Sequence, residues 1–91
     1  MQIKFTNQIR QEGKMFVAYC SELDISTCGK SLEEAKKNIV ETTELFFEEA
    51  KKMGTLNDIL KESGFIKQTA QKKVIWQSPE ILSLEKLSLA I

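Results

Sequence analysis

Residues 31–54 read SLEEAKKNIVETTELFFEEAKKMG. Ser31 stands where a helix needs an N-cap, and Glu34 follows at the spacing of a capping box. Glu33 and Glu34 put negative charge at the positive end of the helix dipole, while Lys51 and Lys52 put positive charge at the other end. Leu32, Ala35, Ile39, Phe46, Ala50 and Met53 recur on one stripe, widened on one side by Val40 and Phe47. Gly54 supplies the left-handed residue that stops a helix. The stretch predicts one long amphipathic helix, and its apolar arc requires a flat surface to cover it.

The residues before it supply that surface. Gln2 to Arg10 alternate, with Ile3, Phe5 and Ile9 pointing one way and Gln2, Lys4, Thr6, Gln8 and Arg10 the other. That is a strand with one buried face. Gln11-Glu12-Gly13 is a tight connection to a second strand, Lys14 to Cys20, which differs from the first. It is apolar on both sides: Met15, Val17 and Tyr19 on one, Phe16, Ala18 and Cys20 on the other. Either this strand is central and covered twice, or one face awaits a partner. Ser21 to Asp24 reads as a loop and Ile25 to Cys28 as a short third strand, with Gly29 breaking the pattern before the helix.

Beyond the long helix, Thr55 predicts the cap of a short second helix to about Ser63, with Asp58 at the capping-box position, Ile59 and Leu60 facing the core and Gly64 ending it. Lys72 to Gln77 reads as a strand, punctuated by Ser78-Pro79. Leu87, Leu89 and Ile91 alternate with Ser88 and Ala90, which predicts a final strand; Ile81 to Glu85 is a turn or bulge before it. The predicted fold class is α+β: a three-stranded antiparallel sheet packed on one long helix, with a short second helix and one or two C-terminal strands. Residues 1–64 form the β-β-β-α-α unit, and residues 65–91 a strand-forming extension of the same domain, assigned to oligomerisation.

The chain has 91 residues, enough for one domain. A core this small gains from self-association or a partner. Lys and Arg together number 13, as do Asp and Glu, so the formal net charge is zero. Neutrality argues against strong non-specific nucleic-acid binding, which needs an excess of cations to displace counterions from phosphates. Cys20 and Cys28 lack metal-motif spacing and are too few for a disulfide scaffold. They read as free thiols, with a bridge open to them if their strands pair closely. With neither a signal peptide nor an apolar run long enough to span a bilayer, the chain reads as cytoplasmic, without a membrane partner.

Histidine is absent, which removes the commonest general base and metal ligand. Glu33, Glu34, Glu41, Glu44, Glu48 and Glu49 alternate with lysines as a solvated helix face. There is no glycine-rich phosphate loop. Trp76, near Lys72 and Lys73, is one aromatic beside two lysines; it reads as a core or interface residue before it reads as a base-stacking platform. The expectation is no catalytic residue, no metal and no cofactor.

Val17-Ala18-Tyr19-Cys20-Ser21-Glu22-Leu23, Thr27-Cys28-Gly29-Lys30-Ser31, Glu33-Glu34-Ala35, Asn38-Ile39 and Glu44-Leu45, in that order, resemble the HicB antitoxin family over about the first half of the chain. The resemblance implies a partial ribonuclease-H-like or double-stranded-RNA-binding-like layer, and an antitoxin that blocks the RNA site of a small HicA-type ribonuclease. The histidine of that system belongs to the toxin. The chain departs from the family pattern at Ser21, where the family has proline, and in a loop shortened to about Asp24. After Gly64 it matches neither a ribbon-helix-helix nor a helix-turn-helix module, so DNA binding is not implied. A ribonuclease-H centre needs an acid on the first strand, and the inward positions there are Ile3, Phe5, Asn7 and Ile9.

On this reading an apolar patch around Phe16 and Tyr19, rimmed by Glu22 and Asp24, docks on the basic surface of the toxin. The apolar tail, with Leu84, Leu87, Leu89 and Ile91, is the expected route to a homo-oligomer. The competing readings are a solitary RNA-binding module and a self-associating domain, both without enzymatic activity.

Overall fold

A computed structural model describes all 91 residues. The first predicted strand is two strands, β1 (Gln2–Lys4) and β2 (Gln8–Glu12). The alternation of burial runs through both, but the run serves two sheets. Ile3 and Phe5 pack into one apolar cluster and Ile9 into another. Between the strands, the Thr6 N–H donates to the carboxylate of Glu22 (3.2 Å), a side-chain acceptor where a continuous ladder would have a carbonyl.

β2, β3 (Met15–Cys20) and β4 (Ile25–Gly29) form an antiparallel meander with β3 in the middle. Its first turn is two residues long, opened by Gly13 at φ +62°, a conformation that glycine adopts without strain. Asp24, at φ +54°, closes the second turn; aspartate is among the few other residues that tolerate that region.

α1 (Leu32–Met53) lies across the meander and beyond it. Ser31 Oγ accepts from the Glu34 N–H (3.1 Å), and Gly54, at φ +74°, closes the other end by donating to the carbonyls of Ala50 and Lys51. Asn38 Nδ2 donates to the Cys28 carbonyl (2.9 Å), tying the helix to β4. Gly29 allows the close approach: a Cβ there would sit 2.6 Å from the Ala35 nitrogen. Ala35, Ile39 and Ala50 are buried as the stripe predicts, and Phe46 and Phe47 are half-buried. Leu32 and Met53, the terminal residues, overhang the packed region and are exposed. Thr43, absent from the predicted stripe, is buried, its hydroxyl satisfied by the Ile39 carbonyl (2.7 Å).

α2 (Leu56–Glu62) follows with Leu56 and Leu60 buried and Ile59 half-buried. Thr55 does not cap it: its backbone is helical and its hydroxyl turns back to the Ala50 carbonyl (3.4 Å). A hairpin, β5 (Ile66–Ala70) and β6 (Lys73–Gln77), turns at Gln71 and Lys72, both at positive φ. β6 pairs with β5 on one side and runs parallel to β1 on the other, completing a second three-stranded sheet. Trp76 of β6 is 1% exposed and anchors the larger cluster with Ala50, Leu56, Leu60 and Phe65. The smaller cluster is Ala18, Ala35 and Ile39. α1 contributes to both and joins them.

The α+β class is thus observed, with two sheets instead of one. The hairpin half of the predicted C-terminal extension belongs to the core. The predicted strand over Leu87 to Ile91 does not form: residues 78–91 have no regular structure. No strand edge of the chain pairs with them, and an unpaired strand leaves its backbone groups to water.

Candidate partner-binding face

β3 has two faces with different fates. Phe16, Ala18 and Cys20 face α1; Ala18 and Cys20 are fully buried, and Phe16 is half-buried against Ala18, Ala35 and Ile39. Met15, Val17 and Tyr19 face the other way. The register places Glu12, Arg10 and Gln8 beside them from β2, and Cys28 and Ser26 from β4. No helix or strand of the chain covers this side. The sequence-predicted pairing of Phe16 with Tyr19 in one patch is therefore corrected: three residues apart on a strand, they point to opposite faces, and Phe16 belongs to the core. Met15 and Val17 take its place beside Tyr19, and the period-two alternation of β3 already carried that signal.

Tyr19 donates its phenol to Asp24 Oδ1 (3.0 Å). That hydrogen bond, and then the charge of Asp24, hold the phenol above its ordinary range, because a phenolate there would lose its acceptor and meet a second anion. Glu22 accepts from the Thr6 N–H through one oxygen and from the Ser21 hydroxyl (3.2 Å) through the other. Both predicted rim acids therefore lie at the β3–β4 turn, each held by the protein in a fixed direction. Arg10 lies 4.0 Å from Glu12 at the far end of the face, an exposed pair of little energetic weight.

The two cysteines are free and on opposite sides of the sheet. Cys20 is buried on the α1 side, and burial pushes its thiol up; Cys28, opposite Val17, is exposed on the open face. This geometry closes the option of a bridge between them. No three His, Cys, Asp or Glu side chains gather where a metal ion would sit, and no helix is long and apolar enough to cross a membrane. Leu84, Leu87, Leu89 and Ile91 are exposed along the tail and are not brought together with the open face or with one another.

No protein-family model, curated protein or solved structure matches the chain.

Proposed function

We propose that the protein is a non-catalytic binding protein that neutralises a small basic ribonuclease of the HicA type by covering its RNA site, in the manner of a HicB antitoxin working in the cytoplasm. The observation that carries this reading is the uncovered face of β3. A central strand with Val17 and Tyr19 half-buried on a side that no element covers is a surface in need of a partner. Its acidic corner, Glu22 and the Tyr19–Asp24 pair, is preorganised to meet cations. The sequence resemblance over residues 17–45 names the kind of partner; the face supplies the means. The test is co-purification with a HicA-type ribonuclease, then an RNA-cleavage assay. Stoichiometric inhibition that is lost in Val17→Asp supports the reading. RNA cleavage by the chain alone sinks it.

Self-association is a second reading, compatible with the first and favoured by the tail. Leu82, Leu84, Leu87 and Leu89 are each more than 80% exposed, a run of apolar surface that an isolated monomer leaves in water. Deleting residues 80–91 is expected to lower the mass in solution while leaving ribonuclease inhibition intact. A tail-less chain of unchanged mass removes the tail from assembly. Such a deletion spares Ser78, whose N–H donates to the Lys4 carbonyl (2.9 Å).

A further inference from the structure

We propose that the cleft between the end of α1, the start of α2 and the β5–β6 hairpin binds a small, multiply charged phosphate compound. Its volume is about 450 Å³, within the range of roughly 300–1,000 Å³ typical of small-molecule sites. Lys51 of α1, Lys67 of β5, Lys72 of the hairpin turn and Lys73 of β6 line it, with Trp76 and Asn57. The register sets Lys67 on the same face of the sheet as Trp76, whereas Lys73, three residues before Trp76 on β6, leaves the opposite face and lines only the margin of the cleft. No carboxylate lines the cleft. None of these lysines forms an ion pair: the pairs in the chain are Arg10–Glu12, Lys37–Glu41 and Lys52–Glu49. A chain of zero net charge thus lines one cavity with lysines and no acid, and three of them, Lys51, Lys67 and Lys72, come from separate parts of the fold.

Two of these lysines have a local use. Lys67 guards an edge strand against unwanted pairing, and Lys51 suits the negative end of α1. Neither use requires the four to share a cavity free of acids. Their mutual repulsion falls when an anion enters. The choice of anion follows from the donors. Lysines act as point charges, and a cluster of them gains most from an anion with more charge per group than a carboxylate, which a phosphate has. Cations converging from α1, β5 and the hairpin turn match a group with several phosphates. A polymeric nucleic acid fits less well, since outside the cleft the remaining Lys and Arg are outnumbered by the 13 Asp and Glu and give no basic track for a backbone.

Trp76 makes the site observable. It is the only tryptophan. The Lys67 ammonium lies 5.8 Å from its ring centroid, and its buried indole N–H has no acceptor in the protein. An anion that draws Lys67 off the ring alters the indole fluorescence.

The proposal does not depend on the partner of the β3 face, and its test uses the full chain without a partner. Inorganic tripolyphosphate is titrated while Trp76 fluorescence is recorded, with calorimetry for stoichiometry. The expected result is saturable one-to-one binding that weakens steeply with salt. Lys51→Gln with Lys67→Gln is expected to weaken it at least ~10-fold, as the loss of two charge-assisted contacts implies. Lys36→Gln with Lys37→Gln, on the outer side of α1, leaves it unchanged. If that pair loses its circular dichroism signal, Lys67→Gln with Lys72→Gln replaces it. Adenosine triphosphate is the second arm: equal affinity assigns the site to phosphates alone, and tighter binding to a nucleotide. Absence of saturation, indifference to both lysine pairs, or a single-stranded oligoribonucleotide that binds more tightly than tripolyphosphate overturns the proposal.

Discussion

Phe16 and Tyr19 leave β3 in opposite directions, Phe16 beneath α1 beside Ala35 and Ile39 and Tyr19 toward Asp24 on the uncovered side. The same substitution therefore has different consequences at neighbouring positions. Phe16→Asp puts a carboxylate between sheet and helix, and is expected to cost roughly 1–3 kcal/mol of stability. Val17→Asp, on the open face, is expected to leave the denaturation midpoint nearly unchanged and to abolish partner binding. Urea unfolding of both variants, beside a pull-down of the ribonuclease, separates the two roles. A stable Phe16→Asp protein means that Phe16 is not a core residue.

Gly29 and Ala35 set how closely β4 approaches α1. A methyl group at position 29 would stand 2.6 Å from the Ala35 nitrogen and 2.9 Å from the Glu34 carbonyl carbon, both backbone atoms that cannot swing aside. Gly29→Ala is expected to destabilise by about 1–3 kcal/mol or more, as overpacking does, and to lower the melting temperature by roughly 4–8 °C per kcal/mol in a domain of this size. An unaltered melting temperature excludes so close a contact.

Where local chemistry decides the structure, the sequence announces it. Ser31, Glu34 and Gly54 delimit α1 correctly because capping is read within a few residues, and the alternation along residues 2–10 survives into the burial pattern. What was illegible depends on contacts distant along the chain. β5 is exposed at every position and turns through Gln71 and Lys72, which carry no turn signature. Its existence rests on pairing with β6, and that of β1 on the same strand. The tail shows the converse, an alternating pattern with no partner strand. For the candidate site, Tyr19 and Asp24 are legible and bonded to each other, and Glu22 lies in the same turn, held by Thr6 and Ser21. Phe16 is not legible as a core residue because apolarity alone does not say which side of a two-faced strand the helix covers. The lysine cleft was half visible as Lys72, Lys73 and Trp76; Lys51 and Lys67 join them only in three dimensions.

The two thiols offer a direct check on that two-sidedness. Cys28 is exposed, whereas Cys20 is buried and its thiol is held protonated by its surroundings. Because the thiolate is the reactive form, Ellman's reagent is expected to modify one thiol per chain rapidly at pH 8 and the second only on unfolding. Cys28→Ser is expected to remove the fast phase and leave the slow one. Two fast thiols in the native protein contradict the burial of Cys20.

The Tyr19–Asp24 hydrogen bond ties stability to alkaline pH, and the single tyrosine makes it measurable. The folded protein holds the phenol above 10.0, first through the bond to Asp24 and then through that residue's charge, and holds the Cys20 thiol above 9.0 through burial. Below those values both groups are protonated whether the chain is folded or not, and pH has no leverage through them. As pH rises the unfolded chain releases these protons first, so the folded state holds more and its stability falls. The loss begins near pH 9 with Cys20 and continues through pH 10 with Tyr19. Phenolate absorbance of the native protein is expected to titrate above 10.0. Asp24→Asn keeps a residue that tolerates the left-handed backbone at this position but removes the charge, so the midpoint is expected to move back toward the ordinary tyrosine value and the alkaline loss of stability to become shallower. A midpoint that ignores Asp24→Asn means that Asp24 is not bonded to Tyr19 in solution, and that the acidic corner of the open face is not fixed in the way its proposed role requires.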